Sequence, residues 1–177
     1  MVGYLMVIKQ NSFRETPEWV KGHNGEKLIA DLLRKRGWYV IPSYDYSGED
    51  NKAPRLQGFA DNYVIPDLDI AKDGIRKWAE VKTKREATWT NVTRRFEHGI
   101  PMRHYQHYLR VQDITGCEVW LFIYEEKTGV VLYANLGDLG KVLRPYIGTK
   151  MNRGGMAFFP RDVFKLWLNI YQLELAL

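Results

Sequence analysis

The tetrapeptide Lys72-Asp73-Gly74-Ile75 carries a tight-turn signal, and it separates two short segments that read as extended, Asp67 to Ala71 and Arg76 to Lys82. A turn centred on Asp73-Gly74 fixes which side chains face each other. It makes Asp67 the cross-strand partner of Glu80, and such partners have Cβ atoms only ~5 Å apart. Alternation of side chains along a strand then puts Lys82 on the same face as Glu80. Two carboxylates that close repel unless a cation lies between them. The competing reading is an exposed, charged hairpin with no further role.

Two carboxylates and an amine suit phosphodiester hydrolysis, which needs an activated water and neutralisation of the charge that builds on the phosphate oxygens. Mg²⁺ or Mn²⁺ supplies both. Mg²⁺ favours one or two carboxylates plus water and substrate oxygens, so Asp67 and Glu80 are the expected ligands, with the backbone carbonyl of Val81 as a third. Lys82 is expected to hold the attacking water or steady the phosphate, or to serve as a simple phosphate contact. Glu26 falls on the buried flank of the first predicted helix, where a carboxylate needs a partner. Either it pairs with a Lys or Arg, or it joins the metal site directly or through water. Asp69, on the same strand face as Asp67, replaces it if the register slips by two residues; Asp61 and Asp73 read as loop residues.

Thr16-Pro17-Glu18 is a helix start, and the helix is predicted to reach Arg36 before Gly37 stops it. Its apolar stripe is Leu28, Ile29, Leu32 and Leu33. A strand over 38–41 follows, then a Gly-, Pro-, Asp- and Asn-rich stretch over 43–62 that is long for a loop and suits a lid or substrate contact. After the hairpin, residues 83–98 read as a polar, basic connection. A second helix is predicted from Pro101 to Gly116, strands over 117–124 and 130–134, and a short helix over 138–143. A basic loop over 146–155, a short strand over 156–159 and a last helix over 161–175 complete the chain. That last segment is apolar nearly all round, so it either completes the core or forms a homodimer contact. Met1 to Ile8 reads as an edge strand or a flexible start. Helices and strands in this order indicate an α/β fold with a mixed sheet flanked by helices.

Pro66-Asp67, followed by Glu80-Val81-Lys82 and preceded by a helix carrying Gly25-Glu26, resembles the PD-(D/E)XK nuclease superfamily. The resemblance covers about residues 17–124. It implies a restriction-endonuclease-like αβββαβ core over about 17–135, with residues 136–177 as a C-terminal extension of a single nuclease domain. It also implies Mg²⁺-dependent cleavage of DNA, with Asp67 as the motif aspartate, Glu80 as the motif acid, Lys82 as the motif lysine and Glu26 as the helix glutamate. Resolvase-like and virus-type replication-repair members carry a glutamine early in the next helix. Here Gln106 stands near that place as a catalytic candidate, with Tyr105 fitting the spacing about as well and a plain surface glutamine as the alternative.

The net charge of +5 suits a polyanionic partner. Lys84, Arg85, Arg94, Arg95 and Arg103 are the expected phosphate contacts, and Trp89 among them is expected to stack on a base or sugar. A solvated basic loop is the alternative. His98 and His104 read as polar residues at the rim of the cleft, and Lys52-Ala53-Pro54-Arg55 as a basic stretch able to close over DNA. The single cysteine, Cys117, excludes an internal disulfide and reads as a core residue in a reducing compartment. No segment is long and apolar enough to span a bilayer, so the expected location is the cytoplasm. The expected activity is endonucleolytic cleavage of duplex or branched DNA, in repair, recombination, phage or defence settings. An inactive DNA-binding module, an exonuclease and an RNA nuclease are the alternatives.

Overall fold

A computed structural model describes residues 16–43, 53–147 and 154–174. Helix α1 (Pro17–Lys35) starts where Thr16 Oγ1 accepts from the Trp19 N–H at 3.3 Å, and the chain leaves it through Gly37 at φ +83°. After it come strands β1 (Tyr39–Pro42), β2 (Arg55–Gln57), β3 (Asn62–Val64), β4 (Leu68–Lys72), β5 (Ile75–Lys84), β6 (Thr88–Thr90) and β7 (Arg95–Pro101). Helix α2 (Met102–Thr115) ends at Gly116 in the left-handed conformation that a side chain would oppose. Strands β8 (Val119–Glu125) and β9 (Val130–Asn135), helix α3 (Leu136–Gly140) and strands β10 (Arg144–Tyr146), β11 (Met156–Pro160) and β12 (Lys165–Asn169) follow, then the short helix α4 (Ile170–Glu174). Among the described residues no helix is long and apolar enough to cross a membrane.

The central sheet has six strands in the order β1-β4-β5-β8-β9-β12. Only the β5–β8 pair in it is parallel, and α2 belongs to the crossover that joins those two strands. The two faces of β5 bury different cores. Ala79 and Val81 pack with Ile29, Ala30 and Leu33 of α1, while Trp78 lies with Leu121, Ile123 and the α2 residues Tyr105, Tyr108 and Val111. The expected αβββαβ order is met by α1, β1, β4, β5, α2 and β8.

The β4–β5 hairpin has the register the turn signal called for: Leu68 pairs with Ala79, Asp69 with Trp78 and Lys72 with Ile75. Asp73 at φ +50° and Gly74 at φ +76° put both central residues in the left-handed region, as a two-residue hairpin with right-handed strand twist requires.

Two sequence-based expectations are overturned, and a third is changed in its described part. The last helix is instead a 3-10 turn (Arg161–Val163), the strand β12 and the short α4. β12 pairs antiparallel with β9 and closes an edge of the central sheet, so the demand of β9 for hydrogen-bond partners overrides the helical pattern. Residues 83–98 are not a connection either. β5 runs on to Lys84, and β6 and β7 belong to a second sheet ordered β10-β11-β7-β6. Of the stretch 43–62, residues 44–52 lie outside the described residues; in the rest, β2 pairs with β3, and the Val64 N–H at the end of β3 donates to His107 Nδ1 at 3.1 Å. Met1 to Ile8, Lys52 and the greater part of the 146–155 loop lie outside the described residues. Cys117 is half-buried against the α2-side core, just before β8 begins.

Candidate active site

Asp67 precedes β4 by one residue and sits at the mouth of the hairpin, where its Oδ2 accepts from the Val81 N–H at 2.9 Å. The register carries it alongside Glu80, which is wholly buried. Lys82, two residues on and on the same face, makes an ion pair with Glu80 Oε1, lies 3.9 Å from Asp67 Oδ2 and donates to the Val81 carbonyl at 3.2 Å. Neither Glu80 oxygen receives a hydrogen bond of ordinary geometry. Glu26 comes from α1, held by His23 Nδ1 at 3.4 Å from its Oε2, with Trp19 stacked on the His23 ring.

Crowded and desolvated acids resist ionising. Burial, then the charge of Glu80, pushes Asp67 up to about 7 against the opposing pull of Lys82 and the Val81 N–H. Burial, then the charge of Asp67, likewise pushes Glu26 up to about 7. Burial by itself would lower Lys82, but the charges of Glu80 and Asp67 outweigh it and hold the ammonium above its ordinary value. The three acids and the amine therefore act as one electrostatic unit in which the single cation does not satisfy the anions.

Among the described residues, no three or more His, Cys, Asp or Glu side chains already stand close enough to clamp a metal ion, and the Lys82 ammonium fills the space between Asp67 and Glu80. The donor set nonetheless fits a hard dication. It is all oxygen, neither buried Glu80 oxygen receives a hydrogen bond of ordinary geometry, and burial, then a neighbouring carboxylate charge, raises two of the acids to about 7.

No family model matches the chain, and no curated protein matches it in sequence. Among solved structures it is similar to a Holliday junction resolvase (Hjc) from the hyperthermophilic archaeon Archaeoglobus fulgidus. The TM-score is 0.53 at 12% identity, over 81% of this chain and 91% of that one. A nuclease from a fusellovirus aligns with a TM-score of 0.47 at 15% identity, over 91% of this chain and 92% of that one. The chain has a restriction-endonuclease-like fold. The resemblance read from Pro66-Asp67 and Glu80-Val81-Lys82 is met at the level of the fold.

Within this restriction-endonuclease-like fold, Glu26, Asp67, Glu80, Val81 and Lys82 come together. Asp69 is engaged elsewhere, bound in a two-pronged ion pair by Arg76 at 2.9 and 2.6 Å. Asp61 accepts from the Tyr63 hydroxyl at 2.6 Å, and Asp73 is a turn residue. Gln106 is on the exposed side of α2. The helix presents Tyr108 to the carboxylates instead: burial, then the charges of Glu80 and Asp67, raises its phenol well above the ordinary range. Tyr108 OH lies 3.3 Å from His104 Nδ1, and burial together with Lys82 and Arg103 pushes His104 down to about 4, so it is neutral. Arg85, Trp89, Arg94, Arg95 and Arg103 are exposed, and Lys84 is half-buried two residues beyond Lys82. Burial, then the neighbouring charges of Lys82 and Lys21, lowers Lys84.

His98 is not at the rim of the cleft but buried, in a second polar centre on the same face whose Glu125 and Arg161 sequence reasoning missed. His98 Nε2 lies 2.8 Å from Glu125 Oε1, and Arg161 grips Glu125 with two hydrogen bonds of 2.7 Å. Glu125 neighbours Lys84 across the β5–β8 pair. The only sequence signal was a charged residue ending an apolar strand, and its partners are 27 and 36 residues away.

Proposed function

We propose that the chain is a divalent-metal-dependent nuclease that hydrolyses phosphodiester bonds inside duplex or branched DNA. One observation carries the reading: Asp67 and Glu80 meet across the hairpin with Lys82 on the same face and Glu26 arriving from α1. Asp67, Glu80 and the Val81 carbonyl would hold Mg²⁺ or Mn²⁺, with Glu26 joining directly or through water. Such an ion supplies charge neutralisation at the phosphate and a water acidic enough to attack at neutral pH.

The rest falls to the chain itself. Lys82 keeps its proton under the charges of Glu80 and Asp67, so it serves as a donor to a phosphate oxygen rather than as a base. Lys84, Arg85, Arg94, Arg95 and Arg103 supply positive charge for the flanking phosphates.

The test uses linear duplex, single-stranded, flapped and four-way DNA, each with Mg²⁺, Mn²⁺ or EDTA. Cleavage is expected with either metal and none in EDTA, with Asp67→Ala and Lys82→Ala each reducing the rate by roughly a hundredfold or more. Cleavage that survives EDTA, or that both variants retain, would sink the proposal. Nicking of a closed circle separates internal cleavage from attack at ends, and an RNA strand of the same sequence tests the sugar.

A further inference from the structure

β6 and β7 form a two-stranded ribbon in which Trp89 and Phe96 are cross-strand partners. Their rings meet edge to face at 5.2 Å, yet 52% of Trp89 and 53% of Phe96 remain exposed. An aromatic pair that stays so open to water contributes little to the core and marks a contact surface. The ribbon beneath it is firmly mounted. Thr90 and Thr93 donate to the buried Glu97 carboxylate at 3.0 and 2.9 Å, and Arg144 binds the same carboxylate from β10.

Side-chain alternation along β7 sets where the pair looks. Phe96, His98 and Ile100 share one face. Ile100 belongs to the core beneath α2, and His98 reaches Glu125 in β8. Glu125 shares its strand face with Ile123, whose neighbour in β5 is Lys82. The aromatic pair thus extends outward the wall that begins beside Lys82. Arg85, four residues before Trp89, and Arg94, two before Phe96, are exposed, and neither pairs with an acid among the described residues. Exposed rings among uncompensated cations, continuous with a phosphodiester-cleaving site, fit a nucleic acid and not an apolar protein surface.

We propose that Trp89 and Phe96 form a stacking platform for an unpaired base, so that the substrate class is DNA with unstacked bases beside a duplex. The proposal rests on the nuclease reading above and adds the substrate to it. In an unbroken duplex each base is covered by its neighbours, and a ring can enter only by opening a step; an unpaired base offers a free face.

The test compares a blunt duplex with a flapped duplex of the same sequence that carries 2-aminopurine in the flap. Binding is measured in EDTA and cleavage in Mg²⁺. The wild-type protein is expected to quench the 2-aminopurine and to bind the flap more tightly. In the Trp89→Ala, Phe96→Ala double variant the quench is lost and flap affinity falls roughly tenfold or more, with a smaller loss on the blunt duplex. Trp89→Phe, which keeps a stacking ring, retains most of both. Equal losses on the two substrates, or a quench that survives in the double variant, would overturn the platform. Wild-type protein that quenches but cleaves nothing in Mg²⁺ would instead overturn the nuclease reading and leave the platform standing. Both residues are exposed, so an unchanged melting temperature shows that the variants remain folded.

Discussion

The backbone of Gly25 in α1 rests against Thr83 of β5 so closely that a Cβ at position 25 would collide with Thr83 Oγ1. That approach brings the next residue, Glu26, up to the carboxylates of the hairpin. Replacing glycine by alanine inside a helix ordinarily gains about 1 kcal/mol. Here the sign reverses, because the methyl group must push α1 off the sheet, and Gly25→Ala is expected to lose about 2 kcal/mol. Denaturant unfolding measures it. Thr83→Ala removes the colliding hydroxyl, so the double variant recovers most of the loss. A single variant as stable as the native chain would show that α1 is not held against β5 at this point.

The raised acids give the metal-free protein a pH dependence of definite sign. Glu26 and Asp67 titrate at about 7 in the folded chain, against 4.5 and 3.8 as ordinary values. Between those limits the folded state holds protons that the unfolded chain has released. Their contribution to stability is therefore complete below about pH 4 and is lost as pH rises through about 7. Mg²⁺ competes for the same oxygens, so it is expected to raise the melting temperature more at about pH 8 than at about pH 5.5. Melting curves with and without Mg²⁺ at both pH values decide this, and Asp67→Asn should flatten the metal-free slope. An equal Mg²⁺ effect at both values would count against the acids as ligands.

Tyr108 and His104 offer a test of which part of α2 serves the site. Tyr108→Phe keeps the buried ring but deletes the hydroxyl between Glu80 and His104, at an expected cost of about 1 kcal/mol. It is also expected to slow cleavage more than Gln106→Ala, since Gln106 is on the exposed side of the helix. Single-turnover rates for the two variants are the comparison. A larger loss at Gln106 would restore the glutamine as the residue that matters.

The parts of the fold legible in sequence are those set by local rules. The Asp73-Gly74 turn dictates a register, and the register determines the meeting of Asp67 with Glu80 and the face that Lys82 shares. The Thr16-Pro17 cap and the stripe of Leu28, Ile29, Leu32 and Leu33 are equally local. What could not be read depends on distant partners. β6 and β7 are polar enough to look like a loop until β11 supplies hydrogen bonds from about sixty residues away. Tyr108 looks like one more apolar helix residue until β5 places Glu80 beside it. Glu125, His98 and Arg161 carry no shared spacing at all, and only the sheet assembles them.

The C-terminal strand allows the sharpest contrast between the sequence pattern and the structure. As a helix, residues 164–171 would bury Leu168 and Leu166 alike, because the apolar surface wraps nearly all round. As β12, a regular strand would put Leu166 and Leu168 on one face, yet Leu168 is 7% exposed and packs in the α1-side core, whereas Leu166 is 64% exposed. The bulge between them shifts the pairing by one residue and so turns the two leucines to different environments. Leu168→Ala is therefore expected to cost about 3 kcal/mol through the cavity it leaves, and Leu166→Ala under about 0.5 kcal/mol. Because β12 covers the edge of β9, loss of Leu168 should also speed amide exchange along residues 130–133, the backbone that pairs with it. Equal costs at the two positions would mean that no bulge separates the two leucines in β12.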